Sequence, residues 1–368
     1  MLTINVTIIG FGNYGRCYMG PKYVEGNGLW KVTSVIDPYV TSEDYNNSVV
    51  IKKSPTTKCY RSIEEWCQKY FSTLTTVEKN NEVIDLCISP EVTLKNIKEL
   101  YAIGVKSIII PKPCTSNMDE YEELISLTKQ YKVKALVSSQ WSYSHVPKLI
   151  NNELSYLRFK LDNSKIKKII INYEKENGYK IFGGNPALIE LPHQITLLHA
   201  IGLVDLMELE YPEVLLSKTR MELNFQCYQI SEGIQIISDM DYKPSKEEIN
   251  NNSGYDCQIR KLYVFLENNL SEQPDVTVDF WIKFSSDGSY VCRFGYLEIR
   301  SKESKYIKLD LIEDQMRVMN HITHKNMLLP LAEFNESDSI VSLEDFKLVA
   351  KQLFHASDLW SKKYYSGE

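Results

Sequence analysis

The sequence lacks several common signatures, and each absence narrows the reading. Its eight cysteines, at 17, 59, 67, 87, 114, 227, 257 and 292, include no C-x-x-C pair. Scattered in this way they read as buried thiols in a reducing compartment rather than as a disulfide framework. No apolar run approaches the ~20 residues of a membrane span. The chain enters a strand-like stretch at once, without a basic n-region or a small-residue cleavage site, so no signal peptide is expected and a cytoplasmic location is. Positive charge is not in excess: 42 Lys+Arg against 48 Asp+Glu leave a net charge of -6. That balance argues against a broad nucleic-acid footprint. There is no internal repeat and no low-complexity tract. His321 and His324 stand close in sequence, but no third ligand accompanies them, so no metal site is expected.

What is present points to a two-domain globular protein. A chain of 368 residues exceeds one comfortable core. In the first half, apolar runs alternate with amphipathic segments, the mark of βαβ units and a parallel sheet. "INVTIIG", "LWKVTSVID", "EVIDLCISP", "KSIIIPKP" and "KALVSSQ" read as five buried strands. "LKNIKELYAIGV", closed by Gly104, and "MDEYEELISLTKQYKV" read as helices between them. Gly20 and Pro21 arrive early enough to shorten or interrupt the first helix.

From about residue 165 the character changes. "SKIKKIIINYEKE", "RMELNFQCYQI", "GIQIISDMDY", "KLYVFLEN", "DVTVDFWIKFS", "GSYVCRFGYLEIRS" and "KYIKLDLI" are strand-like runs separated by turn residues. Few helices interrupt them: one around 192–202, and "KPSKEEINN" as a second candidate in an otherwise loop-like 240–256. Consecutive strands of this kind predict a largely antiparallel sheet. "VSLEDFKLVAKQLFHASDLWSKKYY" reads as a closing amphipathic helix with Ser342 as N-cap. The expected organisation is a Rossmann doubly wound domain over 1–140, an antiparallel-sheet domain over 141–340, and a C-terminal helix over 341–368.

"TIIGFGNYGR" carries the pattern G-x-G-x-x-G at Gly10, Gly12 and Gly15. Alone the pattern is weak, but here a strand precedes it, a helix can follow, and Asp37 ends the next strand. Gly10 permits the tight turn, Gly12 lets backbone approach a pyrophosphate, and Gly15 lets helix pack on strand. Amides at the helix start face the phosphates. Phe11, Asn13 and Tyr14 complete the predicted cradle. Asp37 can accept hydrogen bonds from the ribose hydroxyls and repel a 2′-phosphate, which favours NAD, with NADP as the alternative.

Further along, "DLCISPEVTLKNIKELYAIGVKSIIIPKPCTSN", "LVSSQWSYS" and "GGNPALIELPHQITLLHAIG" resemble segments of the glucose–fructose oxidoreductase / inositol dehydrogenase (Gfo/Idh/MocA) family, and the order of elements is similar along the chain. The resemblance implies Lys112 and His193 as catalytic residues, and Ser89, Pro90 and Lys112 as cofactor neighbours. The chemistry suits them. A histidine can take the proton of a secondary alcohol while hydride leaves its carbon. A lysine ammonium can stabilise charge on the substrate oxygen.

Two positions depart from the family pattern. Pro111 stands where the family has glutamate, and Ile189 stands at the aspartate position. Glu190, next door, is a catalytic candidate that either orients His193 or binds a substrate hydroxyl. The Gly183-Gly184-Asn185-Pro186 turn is expected to line the pocket through Asn185. Gln140, Trp141 and Tyr143 are expected to end a strand facing the same crevice and touch substrate.

The expected function is an NAD(P)-dependent oxidoreductase acting on a secondary alcohol or ketone of a sugar, sugar derivative or cyclitol, with cofactor and substrate between the two sheets. The alternatives are an imine reductase and a dinucleotide-binding regulatory protein without catalysis. The partner is a small molecule, with no nucleic acid and no membrane. Apolar side chains on the outer face of the antiparallel sheet predict a homodimer or homotetramer through that sheet.

Overall fold

The computed structural model describes residues 3–12, 14–25, 28–160, 165–176, 185–218, 223–243, 257–267, 272–283, 293–301, 306–309, 315–329 and 342–366. They divide into two compact units. The first holds the described residues of 1–143 and 316–347; the second holds those of 144–286, 291–315 and 348–368.

In the first unit, β1 (Ile4–Ile9), β2 (Trp30–Ile36), β3 (Lys58–Tyr60), β4 (Glu82–Leu86), β5 (Ser107–Pro111) and β6 (Lys134–Ser138) form one six-stranded sheet. The order is β3-β2-β1-β4-β5-β6 and every pairing is parallel. This is the doubly wound arrangement expected from the sequence, with one strand more. β3 is only three residues, "KCY", too short to show a period. Strand order reverses between β1 and β4, so the carboxyl ends of these strands flank the crevice in which such sheets hold ligands.

The side chains explain the local structure. Asn117 accepts the Glu120 amide at 2.9 Å and starts the helix Met118–Tyr131. Pro90 opens the helix Pro90–Ala102, where a missing amide hydrogen costs nothing. The first helix is irregular, as Gly20 and Pro21 predict: a wide π-helical turn over Tyr14–Met19 runs into a short α-helix, Gly20–Glu25. Pro21 cannot donate the bond that would continue a regular ladder. The helix Gln315–Leu328 also belongs to this unit, its Met327 carbonyl accepting from Lys134 Nζ at 2.8 Å. It lies outside the sequence expectation because its buried stripe is Met319, Thr323, His324 and Met327, which does not read as apolar.

In the second unit, β7 (Ile166–Glu176), β8 (Glu213–Lys218), β9 (Leu223–Ser231), β10 (Ile234–Lys243), β11 (Cys257–Leu266), β12 (Val276–Lys283), β13 (Arg293–Ser301) and β14 (Tyr306–Leu309) form an eight-stranded sheet. Its order is β14-β13-β12-β11-β7-β10-β9-β8, antiparallel throughout except for β7 with β10. The largely antiparallel sheet expected from the sequence is present. β8 and the helix Val146–Lys160 are additional to that expectation. β9 and β10 are joined by Glu232 and Gly233, both at positive φ (50° and 78°), a two-residue turn whose twist matches the strands. "KPSKEEINN" lies mostly outside the described residues.

The closing helix is Leu343–Ser366. Ser342 caps it as the sequence predicts: its hydroxyl accepts the Asp345 amide at 3.1 Å and donates to the Asp345 carboxylate at 2.6 Å. Gln352, on the part belonging to the second unit, donates to the Leu209 carbonyl at 2.8 Å. Among the described residues, no helix is long and apolar enough to cross a membrane.

Candidate functional site

The glycine loop follows β1 and meets the end of β4. Gly10 has φ of 89°, and a Cβ there would overlap the Cys87 carbonyl and lie 2.8 Å from Ile88 Cγ2. A Cβ on Gly15 would overlap the Gly10 carbonyl and lie 3.1 Å from Cys87 Cβ. Gly12 differs: a Cβ there meets nothing within 4 Å. Two glycines are thus required by close packing, and the middle one borders open space. Its side is where a phosphate could approach the backbone. The loop residues therefore fit a dinucleotide. Asn13 lies outside the described residues.

Asp37 sits just past β2 and reaches the same loop. Its Oδ2 accepts the Phe11 amide at 2.6 Å, its Oδ1 accepts the Tyr39 amide at 2.7 Å, and its own amide donates to the Tyr60 carbonyl at 3.0 Å. Each carboxylate oxygen keeps further acceptor capacity for hydroxyl groups. Phe11 is buried, with its ring in the core rather than toward open space. Tyr14 points its hydroxyl at Ser138 Oγ, 3.4 Å away, and burial pushes its pKa far above the usual phenol range.

Other predicted residues lie along the same sheet edge. Ser89 and Pro90 start the helix after β4, and the Ser89 hydroxyl makes no capping bond there. Lys112 follows β5 directly, half-buried, with a cis bond to Pro113. Gln140, Trp141 and Tyr143 correct the sequence expectation. They form a short helical turn after β6 rather than a strand end, because the Ser139 carbonyl accepts the Ser142 amide at 3.1 Å. Trp141 (0% exposed) and Tyr143 (3%) are packing residues; the Tyr143 hydroxyl donates to the Val137 carbonyl at 3.0 Å.

Glu190, His193 and Asn185 belong to the second unit. Pro192 stands in the first turn of the helix Leu191–Ile201, and the His193 amide donates to the Glu190 carbonyl at 2.9 Å. Glu190 is buried, His193 half-buried, and the Glu190 side chain does not cap the helix. Three residues apart at one helix start, the two can share a side. Asn185 supports this region: its oxygen accepts the Ala187 amide at 3.0 Å and its nitrogen donates to Ser357 Oγ at 2.6 Å. Both ends of that amide are engaged within the unit. Ile189 ends the preceding turn Pro186–Ile189, and Gly183 and Gly184 lie outside the described residues.

Sequence reasoning missed two features beside the glycine loop. One is a buried cluster on β4: Asp85 accepts from Tyr23 Oη at 2.9 Å and from Cys87 Sγ at 3.6 Å. Burial pushes the Asp85 pKa up to about 6, while the Tyr23 and Cys87 hydrogen bonds pull it back down. An aspartate inside "EVIDLC" gives no sign of this, since its closer donor, Tyr23, arrives from 62 positions away. The other is Arg61, whose guanidinium donates to the Pro38 carbonyl at 3.1 Å and the Val40 carbonyl at 2.7 Å.

No protein-family model and no curated protein matches this sequence. Solved structures do resemble it in fold. A dehydrogenase (MviM) from Clostridium difficile is 15% identical, with a TM-score of 0.63 covering 99% of this chain and 100% of that one. KijD10, a 3-ketoreductase from Actinomadura kijaniata solved with NADP, is 10% identical, with a TM-score of 0.61 over 98% and 96%. An oxidoreductase from Agrobacterium radiobacter, solved with NAD+, L-tartaric acid and magnesium, is 10% identical, with a TM-score of 0.62 over 99% and 96%. The chain shares the two-sheet fold of these oxidoreductases along nearly its whole length.

Proposed function

We propose that the protein is a divergent Gfo/Idh/MocA-type oxidoreductase that uses NAD(P) and acts on a secondary alcohol or ketone of a sugar, sugar derivative or cyclitol. The observation that carries this reading is the glycine loop: two glycines buried against backbone, one bordering open space, and the Asp37 carboxylate 2.6 Å from the loop amide. The likeness in fold to oxidoreductases solved with NADP and with NAD+ supports it.

The loop around Gly12 and the amides at the start of the first helix would hold the diphosphate. Asp37 would take the ribose hydroxyls, and its negative charge repels a 2′-phosphate, which favours NAD over NADP. The nicotinamide, when bound, supplies or accepts the hydride. Lys112, at the carboxyl edge of the parallel sheet, would hydrogen-bond the reacting oxygen and stabilise charge developing on it. His193 would take the hydroxyl proton in oxidation and return it in reduction. The buried Glu190 would orient His193, and Gln140 would contact substrate.

The test measures NADH and NADPH binding by fluorescence, then turnover on a panel of sugars, nucleotide sugars and cyclitols. Lys112→Ala and His193→Ala should each lower kcat by about 10²- to 10⁴-fold with NADH binding unchanged. Full turnover in both variants would remove the catalytic assignment. NADH binding without turnover on any substrate would favour a regulatory role.

A homo-oligomer joined through the second unit's sheet belongs to the same proposal. The expected apolar outer face is corrected here: the row Gln226, Asp239, Asn172, Lys261 and Asp279 is polar and half-buried and carries both signs of charge, so a contact between copies through it would be a polar one. Light scattering at micromolar concentration decides it; the mass of a single chain would count against it.

A further inference from the structure

Past Asp37 the chain reads Pro38-Tyr39-Val40-Thr41, a loop leading to the helix Ser42–Asn47. This loop is tied on both sides. Asp37 Oδ1 holds the Tyr39 amide, and the Arg61 guanidinium holds the carbonyls of Pro38 and Val40. Pro38 removes one torsion from it, and buried Val40 anchors its far end. Between these fixed neighbours Tyr39 is 89% exposed, the most exposed large hydrophobic side chain among the described residues. A rigid backbone therefore presents an aromatic ring to water, directly beside the carboxylate assigned to ribose.

We infer that the Tyr39 ring is the platform on which the adenine base of the dinucleotide stacks, an inference that rests on the cofactor reading above. With diphosphate at the open side of Gly12 and ribose at Asp37, the base lies beyond the ribose, away from the glycine loop. Tyr39 stands in a turn closed by Asp37 Oδ1, which keeps its ring next to the carboxylate and so next to the base that the ribose carries. A ring whose backbone is already held loses little freedom on stacking. Asp37 joins the two contacts: one oxygen holds the phosphate loop and the other holds the stacking residue.

The experiment is calorimetric titration of the full chain with NADH and with ADP-ribose, for wild type, Tyr39→Ala and Tyr39→Phe. Tyr39→Ala should bind both ligands about tenfold more weakly. Tyr39→Phe, which keeps the ring, should stay within about twofold of wild type. Because Tyr39 makes no core contact, the thermal midpoint should match in all three. Equal affinity of wild type and Tyr39→Ala for ADP-ribose overturns the platform and leaves the cofactor reading standing. Wild-type protein that binds neither NADH nor NADPH removes that reading, and the platform with it.

Discussion

The two sheets bury their side chains by different rules. In the parallel sheet consecutive residues go inside: Val6, Thr7, Ile8 and Ile9 on β1, and all five residues of β4. In the antiparallel sheet burial alternates along much of the described strands, with consecutive buried residues at Ile236–Ser238 on β10 and at Glu298 and Ile299 on β13. Val214, Cys227, Ser238, Ile171, Leu262, Val278 and Ile299 form one buried row across seven strands. The neighbouring row, Leu215, Gln226, Asp239, Asn172, Lys261, Asp279 and Glu298, is mostly polar. A parallel sheet has helices on both faces; here the second sheet shows a covered face and a polar one. Polar groups in the first sheet must therefore find donors inside it. Glu82 does so, accepting from Thr7 at 2.6 Å, Thr33 at 2.8 Å and Tyr70 at 3.1 Å.

The sharpest break of this contrast is expected at two glycines of similar φ. Gly10→Ala forces a Cβ into Cys87 backbone and should cost about 4 kcal/mol, with loss of dinucleotide binding. Gly233→Ala, in the β9–β10 turn with nothing within 4 Å, should cost only about 1 kcal/mol. Urea unfolding of both variants checks this, and equal losses would refute the packing argument.

Next in size are neighbouring isoleucines. Ile8→Ala and Ile9→Ala should each lose about 3 kcal/mol, because both lie in the core. Of the pair Ile170 and Ile171 on β7, only Ile171→Ala should lose that much, with Ile170→Ala nearer 1 kcal/mol. The shift of each unfolding midpoint in urea is the measurement.

A smaller effect separates two aspartates. Burial raises Asp85 to about 6, so the folded state favours its neutral form. The stability this group contributes is whole below about pH 4 and is lost as pH rises through about 6. Asp85→Asn should thus gain ~2–3 kcal/mol at pH 8 and nothing at pH 4. Asp279 is also raised, chiefly by burial, but the nearby Arg300 and Lys261 charges oppose that. Asp279→Asn should change stability by less than ~1 kcal/mol at either pH. Thermal unfolding across pH 4 to 8 reads both.

Much of the fold was legible because its signals are local. β-branched runs, a glycine at a strand end and an aspartate at the next one all express backbone requirements within a few residues. β3 was missed for its brevity, and the helix Gln315–Leu328 because Met, Thr and His line its buried side. At the candidate site the glycine loop and Asp37 were legible for the same local reason. Trp141 and Tyr143 were misplaced because an aromatic after a strand reads alike whether it turns into the core or toward a crevice.

The sequence alone determined the alternation of elements, the parallel-then-antiparallel division, and the glycine pattern with the aspartate that ends the next strand. Only the tertiary structure decided that Gly12 borders open space while Gly10 and Gly15 do not, that Asp37 holds Phe11 and Tyr39 together, and that Asp85 is driven toward neutrality. The reason is physical. Backbone geometry is set by neighbours in the chain, whereas the Phe11–Asp37 and Tyr23–Asp85 hydrogen bonds and the packing of Gly10 on Cys87 and Ile88 join residues 26 to 78 positions apart, brought close only by folding.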